Sequence, residues 1–222
     1  MLNWAARYYP IVRALRRVVG NTDSILEVGS GAFGLARYLP HNIVGCDVTF
    51  AQKPLANLLA VRASALHLPF SDESFAAVVS SDVLEHVPPD LRPQVISETL
   101  RVARKVAIFG FPCGPLAQKL DEDFLTFHRE HNIDPPEWLT EHMQFPFPQT
   151  SLFAQLEPAW RVRFFGNESL RFHALINHAE RRGPWNRLFQ TGLSLVPTLC
   201  ERALQLFDRP PFYRQICIIE RA

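Results

Sequence analysis

The sequence predicts an α/β fold: a doubly wound, mostly parallel sheet of seven strands with helices on its faces. Three observations predict it. The apolar run Ser24–Val28 stops at a glycine-rich turn, Gly29-Ser30-Gly31-Ala32-Phe33-Gly34. A second apolar run, Asn42–Asp47, ends on an acid, as the second strand of a nucleotide-type unit does. Ala76–Ser80 is a short uncharged run of the kind that parallel sheets bury on both faces.

The elements follow in order. Trp4, Tyr8, Val12, Leu15 and Val19 recur at helical spacing, which predicts an N-terminal helix within residues 1–20, with Pro10 in it. That helix either packs on the domain edge or covers a ligand. After the first strand and the glycine turn, Ala32–Leu39 reads as a crossover helix stopped by Pro40. Only eleven residues separate Asp47 from Leu59, so the second crossover holds one helical turn at most, near Leu55–Leu58. Leu59–Ala63 and Ala76–Ser80 are the third and fourth strands. Asp90 is placed to cap a helix over Leu91–Arg104, with Pro93 in its first turn and Val95, Ile96, Thr99, Val102 and Ala103 toward the sheet.

Lys105–Phe111 is the fifth strand. Residues 112–150 show little periodicity but many aromatics and prolines, together with His128, His131 and His142. A long insertion after the C-terminal end of a parallel strand lies where such sheets bind ligands, so it is expected to be a lid over an acceptor. Ser151–Leu156 fits a short helix and Trp160–Phe165 a sixth strand. A helical insertion over 167–210 breaks at Gly183-Pro184 and kinks at Pro197. Phe212–Glu220, with Ile216, Ile218 and Ile219, is the last strand. One domain is expected over 1–222.

The glycine turn carries the first functional signal. Gly29 and Gly31 allow a sharp turn and close approach of a ligand to the main chain. The N–H groups of the turn point at whatever sits there, and Asp47 can accept two ribose hydroxyls. The spacing of Gly29, Gly31 and Gly34 fits a dinucleotide fingerprint equally well. Glu27 shifts the weight, because a carboxylate there repels a pyrophosphate and welcomes a cation. A second pattern lies downstream: Leu68-Pro69-Phe70, then Ser74-Phe75, then Leu84-Glu85-His86.

Together, from Ile25 to Phe111, these residues resemble the class I S-adenosylmethionine-dependent methyltransferases, in the branch that acts on small molecules. The resemblance implies a Rossmann-like sheet whose last strand enters antiparallel beside the sixth, and a transferase using S-adenosylmethionine. It implies that Gly29, Ser30 and Gly31 cradle the methionine end near Glu27, and that Asp47 and Val48 meet the ribose. Ser64, Ala65 and Leu66 would meet the adenine, with Ser81 and Asp82 at the mouth of the sheet. The chain departs from the family pattern at Ser64 and Ala76, where acids are usual, and at Phe33, where a third glycine is usual. His86 is the candidate base or acceptor contact, because imidazole titrates near neutral pH. His128, His131 and His142 are candidate acceptor contacts.

Composition bounds the rest. A 222-residue chain with 47% hydrophobic residues and net charge +1 is an ordinary globular protein, with no electrostatic sign of a nucleic-acid partner. Four scattered cysteines, without metal-ligand spacing to the histidines, read as reduced thiols, and no metal is expected. Arginines interrupt any leader-like run, and no run is long enough to span a bilayer, so a cytoplasmic protein with a small-molecule acceptor is expected; contact with a membrane surface by the 167–210 helices is a lesser alternative. The competing functions are a non-catalytic binding protein of the same fold, and a dinucleotide-dependent oxidoreductase.

Overall fold

The structure is a computed structural model that describes residues 2–156, 159–180 and 197–222. Seven strands form one sheet: β1 Ile25–Val28, β2 Ile43–Asp47, β3 Leu58–Arg62, β4 Phe75–Ser81, β5 Ala103–Pro112, β6 Trp160–Ser169 and β7 Phe212–Arg221. Their order is β3-β2-β1-β4-β5-β7-β6. The first five are parallel, and β7 runs antiparallel between β5 and β6. The sheet is therefore the one expected, with an antiparallel C-terminal pair.

Helices α1 Leu2–Leu15 and α2 Arg92–Val102 cover opposite faces. Strand alternation decides what each meets. Ile25, Ala77, Val79, Val106 and Ile108 pack with Tyr8, Ile11, Val12 and Leu15 of α1. Leu26, Val28, Val78, Ala107 and Phe109 pack with Val95, Ile96 and Val102 of α2. Each such large side chain contributes about 1.5–3 kcal/mol on full burial. Pro10 lies inside α1 and cannot donate to the Ala6 carbonyl. Asn167 Nδ2 of β6 donates to that carbonyl instead, at 3.3 Å.

Several local expectations are corrected. In place of a crossover helix over Ala32–Leu39 there is one 3₁₀ turn, Gly34–Arg37. The Leu35 N–H is taken by the Glu27 carboxylate at 2.6 Å rather than by a helical carbonyl. The β2–β3 crossover has a Leu55–Leu58 turn but no helix. Asn57 ties it down by donating through Nδ2 to the carbonyls of Ala36, Leu39 and His41. Asp90 does not cap α2; Leu91 is its N-cap and makes no side-chain bond. A 3₁₀ turn over Thr150–Phe153 replaces the helix expected at Ser151–Leu156.

The largest correction concerns 112–150. This segment is not irregular, because it contains the long helix α3 Gly114–Glu130 and the short α4 Glu137–Glu141. The helical period of α3 is carried inward by Ala117, Asp121, Phe124, Leu125 and His128. Two of those buried positions are polar, which hides the period from an apolar count. α5 Leu170–Glu180 and α6 Pro197–Gln205 follow β6. The break at Gly183-Pro184 lies outside the described residues. No helix among the described residues is long and apolar enough to cross a membrane.

Candidate active site

The C-terminal ends of β1, β2 and β4 open onto a cleft of about 460 Å³. Gly29, Asp47, Val48, Ala65, Asp82 and Val83 line it, with His86 at one end. Gly29 has φ 77°, which glycine adopts without cost, and a side chain there would collide with Val83. Gly31, at φ 51°, has open space where a Cβ would stand. Asp47 is aimed by two main-chain donors: Gly31 N–H to Oδ2 at 2.8 Å and Thr49 N–H to Oδ1 at 3.2 Å. Val48 leaves an apolar wall 65% exposed.

Other expected ligand residues stand elsewhere. Glu27 shares strand parity with Ile25 and therefore faces α1, beneath the glycine loop. It is fully buried and accepts from Tyr8 Oη at 2.8 Å and from Leu35 N–H. Burial pushes its carboxyl up to about 8, against those two hydrogen bonds. Glu27 thus braces the loop and does not line the cleft. Ser30 is buried and donates to its neighbour, the Gly31 carbonyl, at 2.9 Å. Ser64 is exposed and accepts from Leu66 N–H at 3.2 Å, which closes a turn. Ser81 is buried, and its Oγ has no partner.

A second cavity, of about 510 Å³, adjoins the first. Asp82, His86 and Glu141 line both. Its walls come from Trp4 and Arg7 of α1, Phe124 and His128 of α3, Trp138, His142, His173, and Tyr213 with Arg214 of β7. Of the three candidate acceptor histidines, His128 and His142 reach this cavity. His131 does not line it; its Nδ1 donates to the Phe127 carbonyl on the exposed side of α3.

The floor of the cavity is a buried charge network. Arg214 is 1% exposed and donates to both oxygens of Asp82, at 2.9 and 2.8 Å, and to Glu168 Oε2 at 2.7 Å. Arg7 adds a 2.7 Å ion pair to Asp82. Burial opposes ionisation of Asp82, but Arg214 and Arg7 outweigh it and hold the carboxyl well below its usual range. Both acids that grip Arg214 have left-handed backbones, Asp82 at φ 52° and Glu168 at φ 61°. His173 donates through Nδ1 to Glu168 at 2.9 Å and stacks on Tyr213 at 3.4 Å. His142 Nδ1 and Tyr213 Oη both donate to Asp121 Oδ2, at 2.7 and 2.8 Å.

Glu85 is fully buried, and neither oxygen has a hydrogen-bond partner. Burial, reinforced by the charge of Asp82, raises its carboxyl well above the ordinary value. His86 is lowered by burial and by His142, although Glu141 stands 3.3 Å from its Nδ1. Arg7, Asp121, Glu168, His173, Tyr213 and Arg214 were not singled out by the sequence. A signal existed at Arg214, a charge set in the otherwise uncharged run Phe212–Ile219.

The comparisons with known proteins agree with this geometry. Residues 26–111 match the family described as "Methyltransferase domain". No curated protein sequence matches the chain. Among solved structures, a putative sarcosine dimethylglycine methyltransferase from Galdieria sulphuraria is similar at TM-score 0.57 and 15% identity, over 98% of this chain and 84% of that one. A Haloferax volcanii complex of a methyltransferase activator with a putative methyltransferase gives TM-score 0.55 at 15% identity, over 99% and 94%. The YcgJ protein of Bacillus subtilis gives 0.51 at 15%, over 96% and 98%. At such identities the neighbours show the fold alone. The methyltransferase resemblance read from Ile25 to Phe111 is borne out at the level of fold and domain match: the chain has the Rossmann-like methyltransferase fold, and its residues 26–111 match the methyltransferase-domain model.

Proposed function

We propose that the protein transfers a methyl group from S-adenosylmethionine to a small or medium organic acceptor. The observation that carries this reading is the junction of two cavities at Asp82, His86 and Glu141. One cavity suits a nucleoside ligand and the other an acceptor, and they meet where a methyl group would cross. The cleft fits the cofactor. Its volume lies within the range of about 300–1,000 Å³ usual for small-ligand sites. It offers a main-chain turn without side chains, a carboxylate held in place and an apolar wall.

When bound, S-adenosylmethionine supplies the electrophilic methyl carbon. The chain's own residues do the rest. Asp47 would accept the ribose hydroxyls, and the Ala65 N–H would meet the adenine, since the Leu66 N–H is taken by the Ser64 hydroxyl at the rim. Gly29 and Gly31 would leave room for the methionine end above the loop that Glu27 braces. Asp82, neutralised by Arg7 and Arg214, would fix the mouth of the site rather than take a proton. His86 would contact the acceptor, while Trp4, Phe124 and Trp138 would exclude water around it.

Thermal melts with S-adenosylmethionine, S-adenosylhomocysteine and NADH test the reading. At about a hundred times the dissociation constant an adenosyl ligand adds roughly 2.7 kcal/mol, which raises the midpoint by about 5–10 °C. Asp47→Ala removes charge-assisted bonds and is expected to weaken that ligand by about 10–100-fold. A shift with NADH alone would overturn the proposal. Release of S-adenosylhomocysteine in the presence of a panel of hydroxyl and amine acceptors then reads turnover.

A further inference from the structure

The unpartnered carboxylate of Glu85 needs an explanation. A buried carboxylate with no donor is costly, and proteins that keep one give it a proton, a counter-charge or a metal. Arg7 and Arg214 are engaged with Asp82 and Glu168. Arg92, whose charge acts on Glu85 from a distance, donates to the Val87 and Pro146 carbonyls and not to the Glu85 carboxylate. What stands closest is imidazole. Glu85, His86 and His142 each offer one ligand atom, and those atoms lie within 4.8 Å of one another.

The separation of Glu85 Oε1 from His142 Nε2 is 3.9 Å. That is too long for a hydrogen bond. It is close to the spacing of two ligands on one ion, about 3.4 Å for tetrahedral bonds of roughly 2.1 Å. The His142 ring is also oriented for it. His142 donates its Nδ1–H to Asp121, which is held in turn by Tyr213 Oη. This fixes the tautomer that leaves the Nε2 lone pair facing Glu85. A carboxylate behind a ligating histidine is the arrangement that makes imidazole a better and better-aimed ligand. Glu141, 3.3 Å from His86 Nδ1, supplies a second carboxylate beside the other ring.

We infer that Glu85, His86 and His142 form a binding site for a divalent transition-metal ion at the seam between the two cavities. Two imidazoles and one carboxylate are a nitrogen-rich set, which suits zinc or manganese and iron in their divalent states rather than magnesium or calcium. Three protein ligands leave a position open, and His86 faces both cavities. The ligand class for that position is an oxygen of the acceptor, which the ion would anchor and make more acidic. Chain spacing gives no sign of the site, because His142 comes from the segment after α4 and the other two from the turn after β4.

The test is metal binding, so its failure is distinct from failure of the methyl-transfer reading. The full chain is stripped with a chelator and titrated with zinc sulfate and, separately, magnesium chloride by calorimetry. We expect one zinc per chain, with magnesium weaker by about 100-fold or more. Glu85→Gln and His142→Ala are expected to weaken zinc by about 100-fold. Circular dichroism checks that both variants fold. His86→Ala, at a half-buried position, carries the same expectation and keeps the test valid if either fails to fold. Absence of one-to-one zinc binding would overturn the inference, as would wild-type zinc affinity in the folded variants. Magnesium binding as tight as zinc would overturn the assignment to a transition metal.

Discussion

The two cavities are built in opposite ways. The cleft proposed for the nucleoside ligand is assembled mostly from residues 28–83, each at the end of a strand or in the turn that follows it. Apart from Asp82, which it shares with the other cavity, its fixed carboxylate is Asp47, held by two main-chain N–H groups. The cavity proposed for the acceptor draws on α1, α3, the α4 region, α5 and β7, from Asn3 to Arg214. Its floor is a network of buried ions that no single segment contains. A nucleoside presents the same groups in every enzyme that uses it, so one local loop serves. An acceptor cavity must be shaped by whatever elements surround the sheet, and it is held together by long-range charge pairs.

The largest expected effect strikes that network. Arg214→Met leaves Asp82 and Glu168 buried without their shared cation. Removing one partner of a buried pair costs about 3–5 kcal/mol, so the melting temperature should fall by roughly 10 °C or more. Asp47→Ala removes only two half-buried bonds from main-chain donors and should cost about 1 kcal/mol. Urea unfolding of the two variants side by side decides the matter. Equal losses would break the contrast between a structurally tolerant cleft and an acceptor cavity that supports the fold.

A second test concerns Glu27, which belongs to the cleft by sequence and to the core by packing. Tyr8, Arg7 and Asp47 are the charged or titratable groups around it. Its folded pKa of about 8 lies above the ordinary carboxyl value of 4.5. The folded state therefore holds a proton that the unfolded state has released. Stability from this group is complete below the unfolded pKa and is lost as pH rises to the folded one. The slope within that window approaches about 1.4 kcal/mol per pH unit. Glu27→Gln keeps an acceptor for Leu35 N–H and turns an amide N–H toward Tyr8 Oη, which then accepts rather than donates, so the downward slope should flatten and the variant should be the more stable at alkaline pH. Denaturant midpoints across the window measure this. An unchanged slope would mean that Glu27 reaches solvent.

This pattern explains what was legible. Strands announced themselves as short runs rich in apolar residues, and Gly29, Gly31 and Asp47 because a loop needing positive φ and a carboxylate at a strand end are local features. Seven strands and the place of the cleft could be read accordingly. The 3₁₀ turn that replaces the expected crossover helix could not, because Glu27 reaches across the turn to claim Leu35 N–H. α3 was hidden because Asp121 and His128 occupy inward positions that an apolar pattern leaves blank. Their partners, His142, Tyr213 and the Phe124 carbonyl, are separated along the chain or lie in the backbone. The charge network is a property of the folded topology and has no footprint in spacing.

The smallest expected effect falls on a position where the chain departs from the methyltransferase pattern it resembles. Ser64 is exposed and closes a turn through Leu66 N–H at 3.2 Å. Ser64→Ala loses that one exposed bond, so stability should change by about 0.5 kcal/mol and adenosyl-ligand affinity by less than about threefold. Ser64→Asp restores the acid usual in the family. An aspartate can close the same turn with one oxygen and offer the other to an amino group at the cleft rim. Adenosyl-ligand affinity should then rise by about 3–10-fold, while NADH binding should not. Calorimetric titration of the two variants against wild type measures both changes. If Ser64→Asp leaves affinity untouched while Ser64→Ala abolishes it, adenine recognition depends on the serine hydroxyl itself. The cleft would then be no more legible from local family pattern than the acceptor cavity is.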